Sequence, residues 1–338
     1  MDSVAAHGNA SIKKGSKSFA LASRVLPPAL RDDAAMLYAW CRYCDDVIDG
    51  QEMGHGQIED YKTGQGERLE MLRAKTRAAL AGEPTEDPVF AGLARVVDTH
   101  EIDHRHPMDL LKGFEMDAEE RVYKTVDDIL DYSYHVAGVV GVMMANIMGV
   151  RDAATLDRAS DLGLAFQLTN IARDVIDDAN ADRVFVPQDL LTAAGAPVDA
   201  KAQCDRSNWP ALHKAACAQL DIAEKYYASA KVGIKELDFR CAWAISAALK
   251  VYREIGENLR KGGPEAWEGR VGASSGRKIA LALAAIGSAM GRKSVDVTLR
   301  EGFYERSGSR YSSSRKSRII SGSSSGMSIA KSDSTDGG

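Results

Sequence analysis

The chain has 338 residues, of which 45% are hydrophobic and 27% charged, a composition typical of a globular protein with a large buried core. It excludes disorder of the chain as a whole. The formal net charge of -5 gives no general basis for binding nucleic acid, so no nucleic-acid partner is expected. Five cysteines without paired spacing, and an N terminus without an apolar signal segment, favour the reducing cytoplasm.

Apolar residues recur at three- and four-residue spacing along most of the chain, without sustained alternation of apolar and polar residues, and this periodicity predicts an all-α fold. Thr125, followed by Asp127 and Asp128, has the pattern of a helix start, and Gly50 has that of a helix end. The predicted helices cover residues 17–26, 28–50, 66–81, 88–99, 107–120, 125–148, 152–177, 209–229, 239–261 and 277–290.

Two segments between these helices predict loops. Residues 51–66 are polar and rich in glycine, and residues 178–187 follow an acidic motif directly, which suits a lid over a site. The longest apolar stretch, residues 279–290, is shorter than the roughly 20 residues that a membrane span needs. It predicts a core helix instead.

The composition predicts a flexible N terminus at residues 1–15, one folded domain at 16–295 and a disordered tail at 306–338. The tail is mostly Ser, Gly, Arg and Lys, with too little apolar content to offset the entropy cost of ordering. Between Arg306 and Arg318 it carries five basic residues and no acidic one. It therefore either contacts anionic lipid or is simply a solvated tail.

A polar stripe interrupts the helix predicted at residues 28–50. At about 100° per residue, the side chains in the stripe fall within an arc of about 60°; they are Tyr38, Arg42, Asp45 and Asp49. The residues around them are apolar, which indicates that the stripe faces inward. A single D-x-x-x-D motif would be more typical of a solvated helix face.

The helix predicted at residues 152–177 carries a second stripe. Its members fall within an arc of about 80° on an otherwise apolar helix; they are Gln167, Asn170, Asp174 and Asp178. Buried carboxylates one turn apart are unfavourable unless a cation compensates them. Two such motifs, each in apolar surroundings, favour a metal site over two solvated faces.

Magnesium accounts for both motifs. Mg²⁺ prefers oxygen ligands and is typically held by one or two carboxylates together with substrate phosphates. The two Asp pairs are therefore predicted to grip one diphosphate through bridging Mg²⁺ ions, which would neutralise the charge that develops as diphosphate leaves carbon. Arg42 and Arg173, next to the motifs, either bind the same phosphates or neutralise the carboxylates.

An apolar groove is predicted between the two motifs. Ala137, Val140, Gly141 and Met144 share one face of the helix predicted at residues 125–148. Such a groove suits a long hydrocarbon and keeps water away from a carbocation. Close packing of a neighbouring helix is the alternative interpretation, because glycine on a helix face also permits that.

Five segments carry a family resemblance. They are residues 16–19 (Ser-Lys-Ser-Phe), 38–49, 114–117 (Phe-Glu-Met-Asp), 132–141 and 161–187. In content and order they resemble the bacterial phytoene synthases of the family that also contains squalene and dehydrosqualene synthases. The resemblance covers about residues 16–267, and motifs of this length are specific.

The resemblance implies a single-domain isoprenoid-synthase helical bundle around a central apolar cavity. It implies a prenyltransferase of carotenoid biosynthesis that joins two geranylgeranyl diphosphates head to head. One substrate ionises and alkylates the other to give prephytoene diphosphate; a second ionisation, rearrangement and proton loss then give phytoene. Mg²⁺ is the implied cofactor, with Mn²⁺ as a substitute. The base for the final proton, released diphosphate or a tyrosine hydroxyl, stays open.

The resemblance also implies site residues, position by position. The implied metal ligands are Asp45, Asp49, Asn170, Asp174 and Asp178. The implied catalytic residues are Tyr38, Arg42, Asp117, Tyr132 and Tyr252. The implied substrate-binding residues are Ser16, Lys17, Phe19, Gln167, Arg173, Ala137, Val140 and Gly141.

Two alternatives compete with this interpretation. One is a dehydrosqualene or squalene synthase that uses the shorter farnesyl diphosphate; the small Ser23, four residues after Phe19, favours the longer chain. The other is a synthase-like assembly factor without catalysis, against which the two intact Asp pairs argue. The expected partners are geranylgeranyl diphosphate, the inner face of the membrane as a peripheral contact, and downstream carotenoid enzymes.

Overall fold

The structure is a computed structural model that describes residues 3–15, 23–51, 62–269, 271–291 and 300–306. Within these ranges all regular structure is helical and no strand occurs, which confirms the all-α prediction. The α-helices in chain order are α1 Ser3–Gly15, α2 Pro28–Asp49, α3 Gln65–Leu80, α4 Pro88–Thr99, α5 Arg105–Ala118, α6 Val126–Ser133, α7 Val139–Ile147, α8 Ala153–Asn180, α9 Gln188–Ala194, α10 Ala200–Gln203, α11 Trp209–Ile234, α12 Phe239–Gly262 and α13 Ser275–Ala289.

The ends of several helices follow local sequence signals. α2 ends at Gly50, whose φ of 60° is the left-handed conformation that lets the chain leave the helix. α4 begins after Asp87, whose carboxylate accepts the N–H of Val89. Thr125 and Asp128 form a capping box at the start of α6. The short helices α9 and α10 are not predicted from the sequence.

Residues 3–15 form helix α1, where the sequence predicts a flexible N terminus. Gly8 lies against the backbone of Ala35 in α2, with no room for a Cβ, and Asn9 donates to the Asp32 carboxylate at 2.8 Å. Ile12 of α1 is also buried. The apolar residues of the segment are too few to give a clear helical period, so the helix depends on its packing against α2.

The helix predicted at residues 125–148 is interrupted in the structure. α6 ends at Ser133, Tyr134–Gly138 forms a turn of π-helix, and α7 follows. A π turn widens the helix locally and is frequent at functional sites. Gly141 holds α7 close to Ala159 of α8, and Gly163 of α8 lies against the π turn at Ala137, because a Cβ at either position would collide with the facing backbone.

Residues 279–290 do not form the core helix that the sequence predicts. They lie in α13 and at its C-cap, and within α13 only Ala285 is buried. Ile279 and Leu283 are 53% and 60% exposed. No helix in the part of the chain that the structure describes is both long and apolar enough to cross a bilayer.

Residues 300–306, which we call the C-terminal segment, pack into the helical body, although the sequence predicts a domain that ends at residue 295. Arg300 donates to Asp161 from Nε at 2.9 Å and from Nη2 at 2.7 Å, and its Nη1 lies 3.4 Å from Asp157. Arg306, predicted to begin the disordered tail, is buried with its Nε 2.8 Å from Asp157. The rest of the predicted tail lies outside the described residues.

The C-terminal segment connects three helices. Through Arg300 it binds α8, while the Tyr304 hydroxyl donates to Asp131 of α6 at 2.9 Å and the Tyr304 N–H donates to the Tyr226 hydroxyl of α11 at 3.1 Å. Burial raises the pKa of Asp161, and the Arg300 guanidinium opposes that rise. The arginine therefore stabilises a charge that the surrounding helices alone would disfavour.

We expect Arg300→Leu to lower the free energy of unfolding by about 3–5 kcal/mol, because it leaves Asp161 buried without its guanidinium partner. Urea unfolding followed by circular dichroism measures this loss. Arg260→Leu is the matched control: it removes the more exposed Arg260–Asp221 pair and should cost about 1 kcal/mol or less. Equal losses in the two variants would contradict the proposed role of Arg300.

Candidate active site

A cavity of about 700 Å³ runs between the helices, and it matches the central apolar cavity expected from the sequence. Its polar end is lined by Tyr38, Arg42, Asp45, Asp117, Tyr132, Gln167, Asn170 and Tyr252. From there the walls continue as mostly small and branched apolar residues, which come from α7, α8, α11, α12 and α13. A charged head group and a long hydrocarbon can therefore occupy one continuous space.

The first acidic motif, on α2, is compensated by two arginines. Arg42 Nη1 lies 2.7 Å from Asp45, and Arg42 Nε lies 3.1 Å from Asp46. Asp49 pairs with Arg183 at 3.3 Å. Burial, reinforced by the neighbouring Asp49, raises the pKa of Asp45 to about 6. A cation at this position would stabilise the charged form of the carboxylate.

The second acidic motif lies on α8. Arg173 donates to Asp174 from Nε at 2.7 Å and from Nη2 at 2.5 Å. Burial, followed by the charge of Asp174, raises the pKa of Asp178 to about 8. Asn170 Oδ1 is buried and accepts no hydrogen bond from the residues that the structure describes. Of the two roles open to Arg42 and Arg173, the geometry shows the neutralising one.

Arg183 stands between the two motifs. It lies in the loop after α8, pairs with Asp49, and its charge opposes the raised pKa values of Asp45, Asp117 and Asp178. The predicted lid at residues 178–187 is shorter than expected, because α8 continues to Asn180. Arg183 is not among the site residues predicted from the sequence, although a basic residue inside a predicted lid over a diphosphate site is a usable signal.

Asp117 and Tyr132 meet at the polar end of the cavity. The Tyr132 hydroxyl donates to Asp117 Oδ1 at 3.0 Å, and the Tyr132 ring stacks on Phe185 with 5.3 Å between centroids. Burial raises the pKa of Asp117 to about 7 and that of Tyr132 well above its ordinary value. The pair can hold a proton at a defined place near neutral pH.

Aromatic rings face the cavity next to the acidic motifs. Phe166 and Tyr252 stack with 4.1 Å between centroids, and both line the cavity together with Phe114. Aromatic faces attract cations, most strongly where water is absent. Phe166 is not among the site residues predicted from the sequence, since periodicity alone does not separate a core ring from a cavity ring.

The structure separates the expected site residues into three groups. Lining the cavity are Tyr38, Arg42, Asp45, Asp117, Tyr132, Ala137, Val140, Gly141, Gln167, Asn170 and Tyr252. Four further residues lie next to the cavity-lining residues or next to one another, through ion pairs or nearby charges; they are Asp49, Arg173, Asp174 and Asp178. Outside the described residues are Ser16, Lys17 and Phe19. Gly141 both lines the cavity and packs α7 on α8, so both interpretations of the predicted groove apply to it.

The donor chemistry of the two motifs fits magnesium or manganese. Each motif presents two carboxylates, and the buried Asn170 Oδ1 adds an amide oxygen to the second. Hard divalent cations prefer such oxygen donors and complete their shell with phosphate oxygens. Among the described residues, no three Asp, Glu, His or Cys side chains converge on a single ion position.

Comparison with known proteins gives the family. The chain matches the squalene/phytoene synthase family over residues 12–277 and belongs to it. A 15-cis-phytoene synthase of Paracoccus sp. (strain N81106 / MBIC 01143) is 55% identical over 270 residues, which cover 80% of this chain and 86% of the relative. The 15-cis-phytoene synthase of Pantoea ananas is 46% identical, covering 84% and 91%. The chain is accordingly a prenyltransferase of the phytoene synthase type, in carotenoid biosynthesis.

Solved structures agree with the helical fold. A dehydrosqualene synthase in complex with ligand is 27% identical with a TM-score of 0.73, covering 84% of this chain and 95% of that chain. Squalene synthase HpnC from Alicyclobacillus acidocaldarius is 22% identical with a TM-score of 0.63, covering 76% and 92%. The second similarity concerns the fold alone. Both place the chain among the isoprenoid-synthase helical bundles.

We expect Arg183→Met to lower kcat/KM for prenyl diphosphate by about a hundredfold, because it removes the cation between the two acidic motifs. Arg183→Lys should recover part of this loss, since it keeps the charge. The matched control is Arg121→Met, which removes ion pairs with Asp128 and Asp131; none of these residues lines the cavity, so kcat/KM should change by about twofold or less. Similar losses for Arg183→Met and Arg121→Met would show that the effect is structural.

Proposed function

We propose that the chain makes phytoene by joining two geranylgeranyl diphosphates head to head, through prephytoene diphosphate. The observation that carries the proposal is the continuous cavity that starts at the acidic motifs and follows α8 from Asn170 to Thr155. At the rise of an α-helix this distance is about 22 Å. Long apolar walls joined to a polar end are what two prenyl chains with diphosphate heads require.

Asp45, Asp49, Asn170, Asp174 and Asp178 are the proposed holders of Mg²⁺, with Mn²⁺ as a substitute. When bound, the metal neutralises the charge that grows on a departing diphosphate. Support comes from the oxygen-only donor set, the raised pKa values of Asp45 and Asp178, and the buried Asn170 oxygen.

The chain's own side chains divide the remaining tasks. Arg42, Arg173 and Arg183 exchange their carboxylate partners for phosphate oxygens of the substrate. The apolar walls exclude water, and the Phe166 and Tyr252 faces stabilise the allylic cation left after ionisation. Tyr132, held by Asp117, orients a hydroxyl toward the reacting carbons.

The substrate and the product of this reaction are both lipids. We therefore extend the proposal to the location of the protein in the cell. We place the enzyme in the cytoplasm, in peripheral contact with the inner face of the membrane. The product then passes to downstream carotenoid enzymes without crossing water, which a pure hydrocarbon would do at a high free-energy cost.

Product length tests the proposal directly. Purified protein is incubated with Mg²⁺ and either geranylgeranyl or farnesyl diphosphate, and the hydrocarbon products are separated by chain length. We expect phytoene from the longer substrate. A C30 product without any C40 product would replace the proposal with a dehydrosqualene or squalene synthase. Unconsumed diphosphates in both reactions would favour the non-catalytic assembly factor.

Asp45→Asn and Asp174→Asn should each lower turnover at least about a hundredfold, because an amide binds Mg²⁺ less strongly than a carboxylate. Asp177→Asn is the matched control, since Asp177 is exposed on another face of α8 and should retain turnover. Circular dichroism checks that each variant is folded. Full activity in both test variants would disprove the metal assignment.

A further inference from the structure

Helix α13 presents an apolar stripe to the exterior. Ile279, Leu283 and Met290 are 53%, 60% and 71% exposed. At about 100° per residue they fall within an arc of about 40°, so they form a single face. Phe239, 47% exposed at the start of α12, adds a ring beside Trp243. Large apolar side chains grouped in this way mark an interaction surface more often than chance exposure.

The exposed stripe is also a wall of the cavity. Ile279 and Leu283 line the cavity together with Ala282 of the same helix, although both are more than half exposed. The cavity therefore reaches the molecular surface at α13. A side chain that faces both the cavity and the exterior belongs to an opening.

This opening lies at the end of the cavity away from the acidic motifs. The indole N–H of Trp243 donates to the backbone carbonyl of Ala282 at 2.7 Å, which places α13 beside the first turns of α12. Tyr252, at the polar end, follows Trp243 on α12 at a distance of about 13 Å by helical rise. The diphosphate-binding end and the apolar opening are thus separated along the same helix.

The sequence of α13 and its flanks is basic, although Glu254 and Glu257 of α12 face Arg277. From residue 271 to residue 293 the sequence contains Arg277, Lys278, Arg292 and Lys293 and no acidic residue, within a chain whose net charge is -5. Arg277 pairs with Glu254 of α12 at 2.7 Å and fixes the start of α13, and Lys278 borders the cavity. Basic residues beside an exposed apolar stripe are the pattern of a helix that lies in an anionic membrane interface.

We propose that α13 is a lipid-facing portal: its apolar stripe docks on an anionic bilayer, and the hydrocarbon product leaves the cavity past Ile279 and Leu283, beside α13, into the lipid. The exit of a hydrocarbon rests on the proposed phytoene synthesis, whereas the docking of α13 locates the proposed membrane contact and does not depend on the reaction. A bilayer fits the surface better than a second copy of the chain, because a protein partner over the stripe would seal the opening of the cavity.

Vesicle flotation with the full chain and without substrate tests the docking. The vesicles contain phosphatidylcholine alone or mixed with anionic phosphatidylglycerol. The variants are Leu283→Gln with Met290→Gln, and the matched control is Val122→Gln, an exposed valine elsewhere that is 58% accessible. We expect the wild-type protein to float with the anionic vesicles, the double variant to bind about tenfold more weakly, and the control to bind like wild type.

Three results would overturn the portal: wild-type protein that does not float, a double variant that floats like wild type, or a control that loses binding equally. A dimer that dissociates in the double variant, seen by sedimentation velocity, would instead assign the stripe to a second copy. Met290→Gln alone should keep its activity in detergent, since Met290 does not line the cavity. Vesicle binding without phytoene formation would reject only the proposed function.

Discussion

The structure depends on carboxylates that lie half-buried in apolar helices and are paired there with arginines. At the acidic motifs Arg42 faces Asp45, Arg173 faces Asp174, and Arg183 reaches Asp49 from a different part of the chain. At Asp45, burial and the neighbouring Asp49 raise the pKa, and the Arg42 guanidinium opposes that rise. The substrate site is therefore preformed as a set of exchangeable ion pairs, whose partners can change when a diphosphate and its metal ions enter.

Much of the site could be predicted from sequence because helical periodicity determines which side chains share a face. The two polar stripes, the apolar groove and the bounds of α4 all depend on residues close together in the chain. Arg183 and the C-terminal segment were missed because their roles depend on partners more than a hundred residues away. The prediction that residues 279–290 form a core helix was wrong for a related reason. Apolar composition indicates that a segment contacts other apolar groups, but it does not show whether those groups belong to the protein.

The cavity has two chemically different ends, and each is built from different parts of the chain. Carboxylates, arginines and aromatic rings from α2, α5 and α8 meet at one end, and α13 forms part of the other. The family match stops at residue 277, close to the start of α13. The reacting end thus lies within the residues that the family match covers.

The ion pairs of the C-terminal segment have a consequence for how the protein forms during synthesis. Asp157 and Asp161 leave the ribosome long before Arg300 and Arg306. Until those arginines emerge, α8 cannot bury both carboxylates in their charged form without a large cost. Since α8 also carries Asn170 and Asp174, the reacting end of the cavity shares a helix with the carboxylates that these two arginines neutralise.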